Sequence, residues 1–276
     1  MTPAAAILGK GGVGKTFVAA HLAMALGYLG VKTLLVGCDQ KRDTRRAVTS
    51  RGAPSLMEAL EALDYEPAAL RPEQVLVPAA DLVDVLELGP SPLLVGDYGR
   101  VHELAWAFLD AHDLPSAYGQ LLFDVTDERL DAPQLPLLRR LRTVVGVTDE
   151  SAESLFVLNR MLRGLLIGGH EMQLQVRVLG MVNNRSQDPA PFHRYAQVTH
   201  CAPLLSVPAL QELASLRAEH VTLFAKERLP APCERALQGF LSVAGLLRQT
   251  VLALQPVMPL PDEEVWRLKA PGPPQN

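Results

Sequence analysis

Residues Gly9 to Thr16 read Gly-Lys-Gly-Gly-Val-Gly-Lys-Thr. They sit between a short apolar run, Ala4–Leu8, and a stretch, Thr16–Leu29, whose apolar residues recur at helical spacing. Strand, glycine loop and helix in that order are the context of a phosphate-binding loop. Gly9, Gly11, Gly12 and Gly14, with Val13 among them, let backbone N–H groups crowd around phosphate oxygens without a Cβ in the way. The following helix points its positive N-terminus at the same anion. Lys15 is expected to reach the β- and γ-phosphates, and the Thr16 hydroxyl to ligate Mg²⁺.

The rest of the chain keeps this alternation. Strand-like runs at Lys32–Cys38, Tyr118–Asp124, Arg142–Thr148, Val176–Val182 and Pro203–Val207 are short, apolar and rich in Val and Leu, as strands buried on both faces are. Helical patterns at Ser55–Leu63, Val101–Ala111, Ser151–Ile167 and Leu210–Arg217 lie between them, and Gln74–Leu88 reads as a hairpin or an added edge element. This predicts an α/β fold: a single doubly wound, mostly parallel sheet with right-handed crossovers. Ala231–Leu254 reads as a closing amphipathic helix whose polar face has too few basic residues for a membrane surface. The expected organisation is one nucleotide-binding domain, 1–254, followed by a proline-rich tail, Gln255–Asn276, extended rather than packed.

Composition narrows the function classes. The chain has 276 residues, 48% hydrophobic and 20% charged, which suits one large globular domain. Its net charge of −4 argues against bulk electrostatic binding to nucleic acid or acidic lipid, so neither is expected as a partner. No apolar run spans a bilayer and the N-terminus does not read as a secretory signal, so a cytoplasmic location is expected. The three cysteines, Cys38, Cys201 and Cys233, show no paired metal spacing.

In an open parallel sheet, ligands sit beyond the carboxyl ends of the strands. Two acidic segments lie there. One is Gly37-Cys38-Asp39-Gln40-Lys41-Arg42-Asp43-Thr44, where Asp39 and Asp43 can organise the attacking water and the surroundings of Mg²⁺. The other, Leu121-Leu122-Phe123-Asp124, is an apolar strand ending in the carboxylate of a Walker B element. The basic cluster Lys41, Arg42, Arg45 and Arg46 is interspersed with acids and lacks aromatic neighbours, unlike a nucleic-acid surface.

Lys10, directly after the first glycine, makes the loop resemble the variant Walker A loop of the nitrogenase iron protein and of the septum-site and plasmid-partition ATPases. In those families this lysine crosses a dimer interface to the partner's nucleotide. The resemblance therefore implies an ATP- or ADP-bridged homodimer, with Lys10, Lys15 and Asp39 as catalytic residues. Gly37, Cys38, Asp39, Lys41 and Asp43 match the first switch of the iron protein and its relatives in bacteriochlorophyll synthesis, with Gln40 in place of a proline. The carry-over makes Asp39 the water-orienting residue and gives Thr16, Asp43 and Asp124 to Mg²⁺. In the second switch, Asp127 stands where the family has a glycine, which puts hydrolysis in doubt relative to binding. Asn184, with Asn183 second, matches the amide that pairs with adenine in the related reductase subunits; Val207 and Pro208 match the segment lining the other side of the base.

The resemblance breaks at the redox centre. The family holds a four-iron, four-sulfur cluster at its dimer interface with two cysteines per subunit, the first in a Val-Gly-Cys-Ala-Gly-Arg-Gly segment. Here the stretch reads Val95-Gly96-Asp97-Tyr98-Gly99-Arg100, and Glu128–Leu135 contains no cysteine for the second ligand. Around Pro259–Trp266 the chain also resembles the tail of the ATP-binding subunits of protochlorophyllide and chlorophyllide reductases, most nearly the chlorophyllide reductase subunit. The reading is a Mg-nucleotide-binding homodimer without an iron–sulfur cluster, engaging a protein partner near Asp97–Arg100. Three alternatives stay open: a redox ATPase subunit whose cluster uses Asp97, a partition or positioning ATPase, and a pseudo-ATPase that binds nucleotide structurally.

Overall fold

A computed structural model describes residues 3–39, 41–90, 94, 97–125, 137, 139–141, 143–168, 176–249 and 256–268. Gln40, the second switch at Asp127–Glu128 and the 128–135 segment lie outside the described residues, as do Val95 and Gly96.

The sheet contains β1 (Ala4–Leu8), β2 (Thr33–Gly37), β3 (Val77–Ala80), β4 (Val83–Glu87), β5 (Gln120–Asp124), β6 (Thr143–Thr148), β7 (Arg177–Ser186) and β8 (Pro203–Pro208). Their order is β3-β4-β2-β5-β1-β6-β7-β8, parallel throughout except for the β3–β4 pair at one edge. Both faces are covered, so alternate residues of one strand enter different cores. Ala5 and Ile7 of β1 pack with α1 (Lys15–Tyr28), while Ala4, Ala6 and Leu8 enter the opposite core. That opposite core also takes residues of α3 (Leu56–Glu61) and α4 (Tyr98–Ala111).

Helix α1 is the most enclosed helix around the site: every residue from Val18 to Leu26 is buried. It is covered by α9 (Ala231–Leu247), which contributes Phe240, Val243 and Ala244 to the shared core. A short helix, α2 (Asp43–Arg46), follows β2, and α5 (Leu114–Ala117) precedes β5. On the other flank, α6 (Ala152–Arg163), continued by a π-turn, and α7 (Ala190–Thr199) make a third core with Leu158, Phe192 and Tyr195. Helix α8 (Gln211–Ala218) follows β8.

Three differences from the sequence expectation have physical reasons. Strand β7 runs on to Ser186, beyond the apolar run that ends at Val182; parallel pairing, of Asn183 with β6 and β8 and of Asn184 with β8, carries the strand through both asparagines. Helix α7, not anticipated between β7 and β8, starts on Pro189-Ala190-Pro191, where proline suits a first turn. The segment 256–268 is packed rather than extended. It carries α10 (Asp262–Arg267), whose Val265 is fully buried in the third core. Asn159 of α6 clamps its backbone, donating from Nδ2 to the Leu260 carbonyl at 2.8 Å and accepting the Leu260 N–H at 2.9 Å. No helix among the described residues is long and apolar enough to cross a membrane.

Candidate functional site

The glycine loop turns from β1 into α1 beyond the carboxyl ends of the strands. Gly14 occupies the left-handed region at φ 92°, and a Cβ there would lie 2.1 Å from Asn184 Nδ2. Glycine is thus required twice at this position, by conformation and by space. Lys15, 6% exposed, folds its ammonium into the loop and donates to the carbonyls of Gly9 at 2.9 Å and Lys10 at 3.0 Å. Two residues brace the loop from β7. Asn184 Nδ2 donates to the Val13 carbonyl at 2.7 Å, and Arg185, itself at φ 61°, donates to the Gly12 carbonyl at 2.8 Å.

A cleft of about 250 Å³ opens over Gly11, Gly12, Gly14, Lys15 and Thr16, with Asp39, Lys41 and Asp43 on its other wall. The structure therefore brings the phosphate loop and both first-switch carboxylates to one cavity. Asp39 Oδ1 accepts the Lys41 N–H at 2.9 Å, closing a tight turn ahead of α2. Asp43 opens α2, and the next residue, Thr44, donates its hydroxyl to Asp124 Oδ2 at 2.8 Å. Asp124 is wholly buried at the end of β5 and its Oδ1 has no hydrogen-bond partner within the structure. Burial pushes its carboxyl above the usual range, while the Thr16 and Thr44 hydroxyls and the Lys15 charge pull it down. An orphaned buried carboxylate oxygen beside Thr16, Asp39 and a lysine fits hard-cation chemistry, and Thr16, Asp43 and Asp124 would offer the oxygen donors that Mg²⁺ prefers, directly or through water.

A second cavity, about 430 Å³ and mostly apolar, adjoins the first. Its walls include Phe17, Asn184, Arg185, Pro208 and Leu213, and Phe17 borders both cavities. Pro208 lies in this wall; Val207, 1% exposed, belongs to the core behind it. Asn184 reaches the cavity, with one of its two amide N–H donors committed to the loop. Asn183 points elsewhere: it is fully buried, and neither side-chain amide atom has a partner in the structure.

Lys10 does not reach outward here. Its ammonium pairs with Glu153 Oε2 of α6 at 3.0 Å. Sequence reasoning also missed His21, which stacks between Phe17 and Phe240. Its Nε2 accepts the Leu223 N–H at 3.1 Å, which leaves Nδ1 as the protonated nitrogen donating to the Phe17 carbonyl at 2.8 Å. Burial pushes its pKa down to about 4, so the ring is neutral. Nothing in the local pattern marks a histidine inside a helix buried all round; its partner is 202 residues away.

At Asp97, which aligns with the first cluster cysteine of the resembled family, Oδ1 accepts the Arg100 N–H at 2.9 Å and caps α4. Cys201 and Cys233 are buried in separate cores, and Cys38 lies beside Asp124, Glu87 and Asp39, where burial first and then those carboxylates hold its thiol protonated. Among the described residues no three His, Cys, Asp or Glu side chains gather as a metal-ligand group. Among the described residues no two cysteine thiols share a core.

The fold and cleft define a P-loop nucleotide-binding α/β protein of the kind whose sheet order puts β1 between β5 and β6. Over residues 4–269 the chain belongs to the family of 4Fe-4S iron sulfur cluster binding proteins, NifH/frxC. It is 30% identical over 263 residues to the light-independent protochlorophyllide reductase iron-sulfur ATP-binding protein of Halorhodospira halophila, covering 95% of this chain and 86% of the relative. The protein of the same name from Rhodospirillum centenum is 28% identical, with 95% and 85% covered. Among solved structures, the cell division ATPase MinD of Pyrococcus furiosus superposes with a TM-score of 0.69 at 18% identity, over 89% of this chain and all of that one. A ParA family ATPase from Chlorobium tepidum gives 0.68 at 18% identity, over 88% and 99%. These likenesses establish the fold.

Proposed function

We propose that this chain binds Mg-ATP and Mg-ADP and acts in the cytoplasm as a nucleotide-gated homodimer that engages and releases a protein partner, without an iron–sulfur cluster. The observation that carries the reading is the Thr44–Asp124 hydrogen bond at 2.8 Å. It ties the helix bearing Asp43 to the strand end beneath the phosphate loop, so occupancy of the cleft is felt along 39–46. Lys15 neutralises β- and γ-phosphate charge, and Asp39 orients the attacking water. Thr16, Asp43 and Asp124 would hold Mg²⁺, which when bound would supply further charge neutralisation. The base enters the apolar cavity between Phe17 and Pro208, with the Asn184 carbonyl oxygen toward the adenine amino group. Lys10 leaves Glu153 for the partner's nucleotide when two copies meet. The face around Asp97–Arg100, retaining the glycine and arginine frame without a thiolate, is the partner contact.

ATP turnover by the wild-type chain, with Lys15→Ala and Asp39→Asn as controls, tests the nucleotide half. Turnover no higher than these controls refutes hydrolysis, and absence of Mg-ADP binding refutes the whole reading. Iron analysis after anaerobic purification tests the other half; a stoichiometric cluster overturns it. Capture of a partner with a non-hydrolysable ATP analogue, lost on Asp97→Ala, tests the contact face.

A further inference from the structure

Three strand ends lie side by side in register: Glu87 of β4, Gly37 of β2 and Asp124 of β5. Asp124 is absorbed by the proposed metal site. Glu87 is not, and no motif of the chain marks it. It is 1% exposed, and its Oε1 accepts the Arg45 N–H at 2.5 Å. Its Oε2 is buried without a partner in the structure and fills the space that a side chain on Gly37 would need: a Cβ there would lie 2.2 Å from Oε2 and 2.7 Å from the Thr44 side chain. Consecutive residues of α2 are therefore tied to two carboxyls at strand ends, Thr44 through its hydroxyl to Asp124 and Arg45 through its backbone to Glu87. A buried carboxyl is costly to keep. This one accepts a backbone N–H in the first turn of a four-residue helix too short to hold itself.

We propose that Glu87 is the positioning residue for α2, fixing through the Arg45 amide where Asp43 and the Asp39 turn stand over the phosphate cleft. The effect on nucleotide rests on the Mg-nucleotide reading above; the anchor itself does not. Glu87 touches neither phosphate nor Mg²⁺. Its contribution is a preformed cation-binding wall, so its loss falls on Mg²⁺-dependent binding and spares contacts made by the phosphate loop alone.

The test compares Glu87→Gln, which keeps an oxygen for the Arg45 N–H, with Glu87→Met, which fills the space but accepts nothing. Two readouts are taken on the full chain: amide hydrogen exchange over 43–47 without nucleotide, and ADP affinity with Mg²⁺ or with EDTA. The expected result for E87M is exchange at least tenfold faster over 43–47, unchanged exchange in β5, at least fivefold weaker ADP binding in Mg²⁺, and ADP binding in EDTA within twofold of wild type. E87Q is expected within twofold of wild type throughout. Unchanged exchange in E87M overturns the anchor. Equal loss of ADP affinity with and without Mg²⁺ overturns the positioning role in favour of general damage to the fold. A wild-type chain whose ADP binding ignores Mg²⁺ overturns the Mg-nucleotide reading instead, and exchange at Arg45 still decides the anchor.

Discussion

Asn184 offers a sharp test of how this site is built, because its side chain can hold the loop, read a base, or do both. Its Nδ2 donates to the Val13 carbonyl at 2.7 Å and the residue is 4% exposed. Asn184→Ala leaves that carbonyl without its partner in a dry setting. An orphaned buried polar group costs about 1–3 kcal/mol. For a domain of this size each kcal/mol lowers Tm by roughly 2–4 °C, so a loss of about 2 kcal/mol corresponds to roughly 4–8 °C. The loop must also be ordered again on binding. If about 1.4 kcal/mol of that cost falls on the complex, affinity drops about tenfold. A brace on the loop backbone acts below the phosphates, so a drop is expected for both ADP and GDP, with a further loss for ADP from the contact to the adenine amino group. Thermal melting of the apo protein and titration with both nucleotides measure the two effects. An unmoved Tm with loss confined to ADP refutes the brace and leaves Asn184 as a base reader alone.

Other outcomes are expected from the same geometry. Glu153→Ala removes the ion pair that holds Lys10 at 3.0 Å and is expected to favour the ATP-dependent dimer in sedimentation velocity; unchanged association refutes the competition between Glu153 and the partner. For His21, burial lowers the folded-state pKa from 6.5 to about 4. Its contribution to stability is complete above about pH 6.5 and is lost as pH falls toward 4, by on the order of 3 kcal/mol. Urea midpoints measured across that window are expected to fall more steeply in wild type than in His21→Gln. Asn159→Ala removes both bonds to Leu260 and is expected to expose 256–268 to limited proteolysis, at a cost of about 1–3 kcal/mol. Persistent protection of that segment refutes the clamp.

The phosphate loop was legible because its chemistry is local: glycines, Lys15 and Thr16 are consecutive, and the flanking periodicities name a strand and a helix without reference to the rest of the chain. The doubly wound sheet was legible for a similar reason, since apolar runs of strand length alternate with helical ones. The full length of β7 was not legible because the apolar run ends at Val182, while pairing with neighbouring strands carries β7 through the two asparagines. The proline-rich tail misled because composition cannot reveal a backbone clamp 101 residues away.

By itself the sequence determined the fold class, the phosphate-binding loop and the absence of cysteines from both cluster-ligand segments. Each is a matter of which residues stand next to one another. Only the tertiary structure decided that Asn184 and Arg185 brace the loop from β7, that Lys10 rests on Glu153, and that Glu87 and Asp124 hold consecutive residues of α2. Those contacts join residues from 42 to 173 positions apart. Packing, not local preference, brings them within hydrogen-bonding distance.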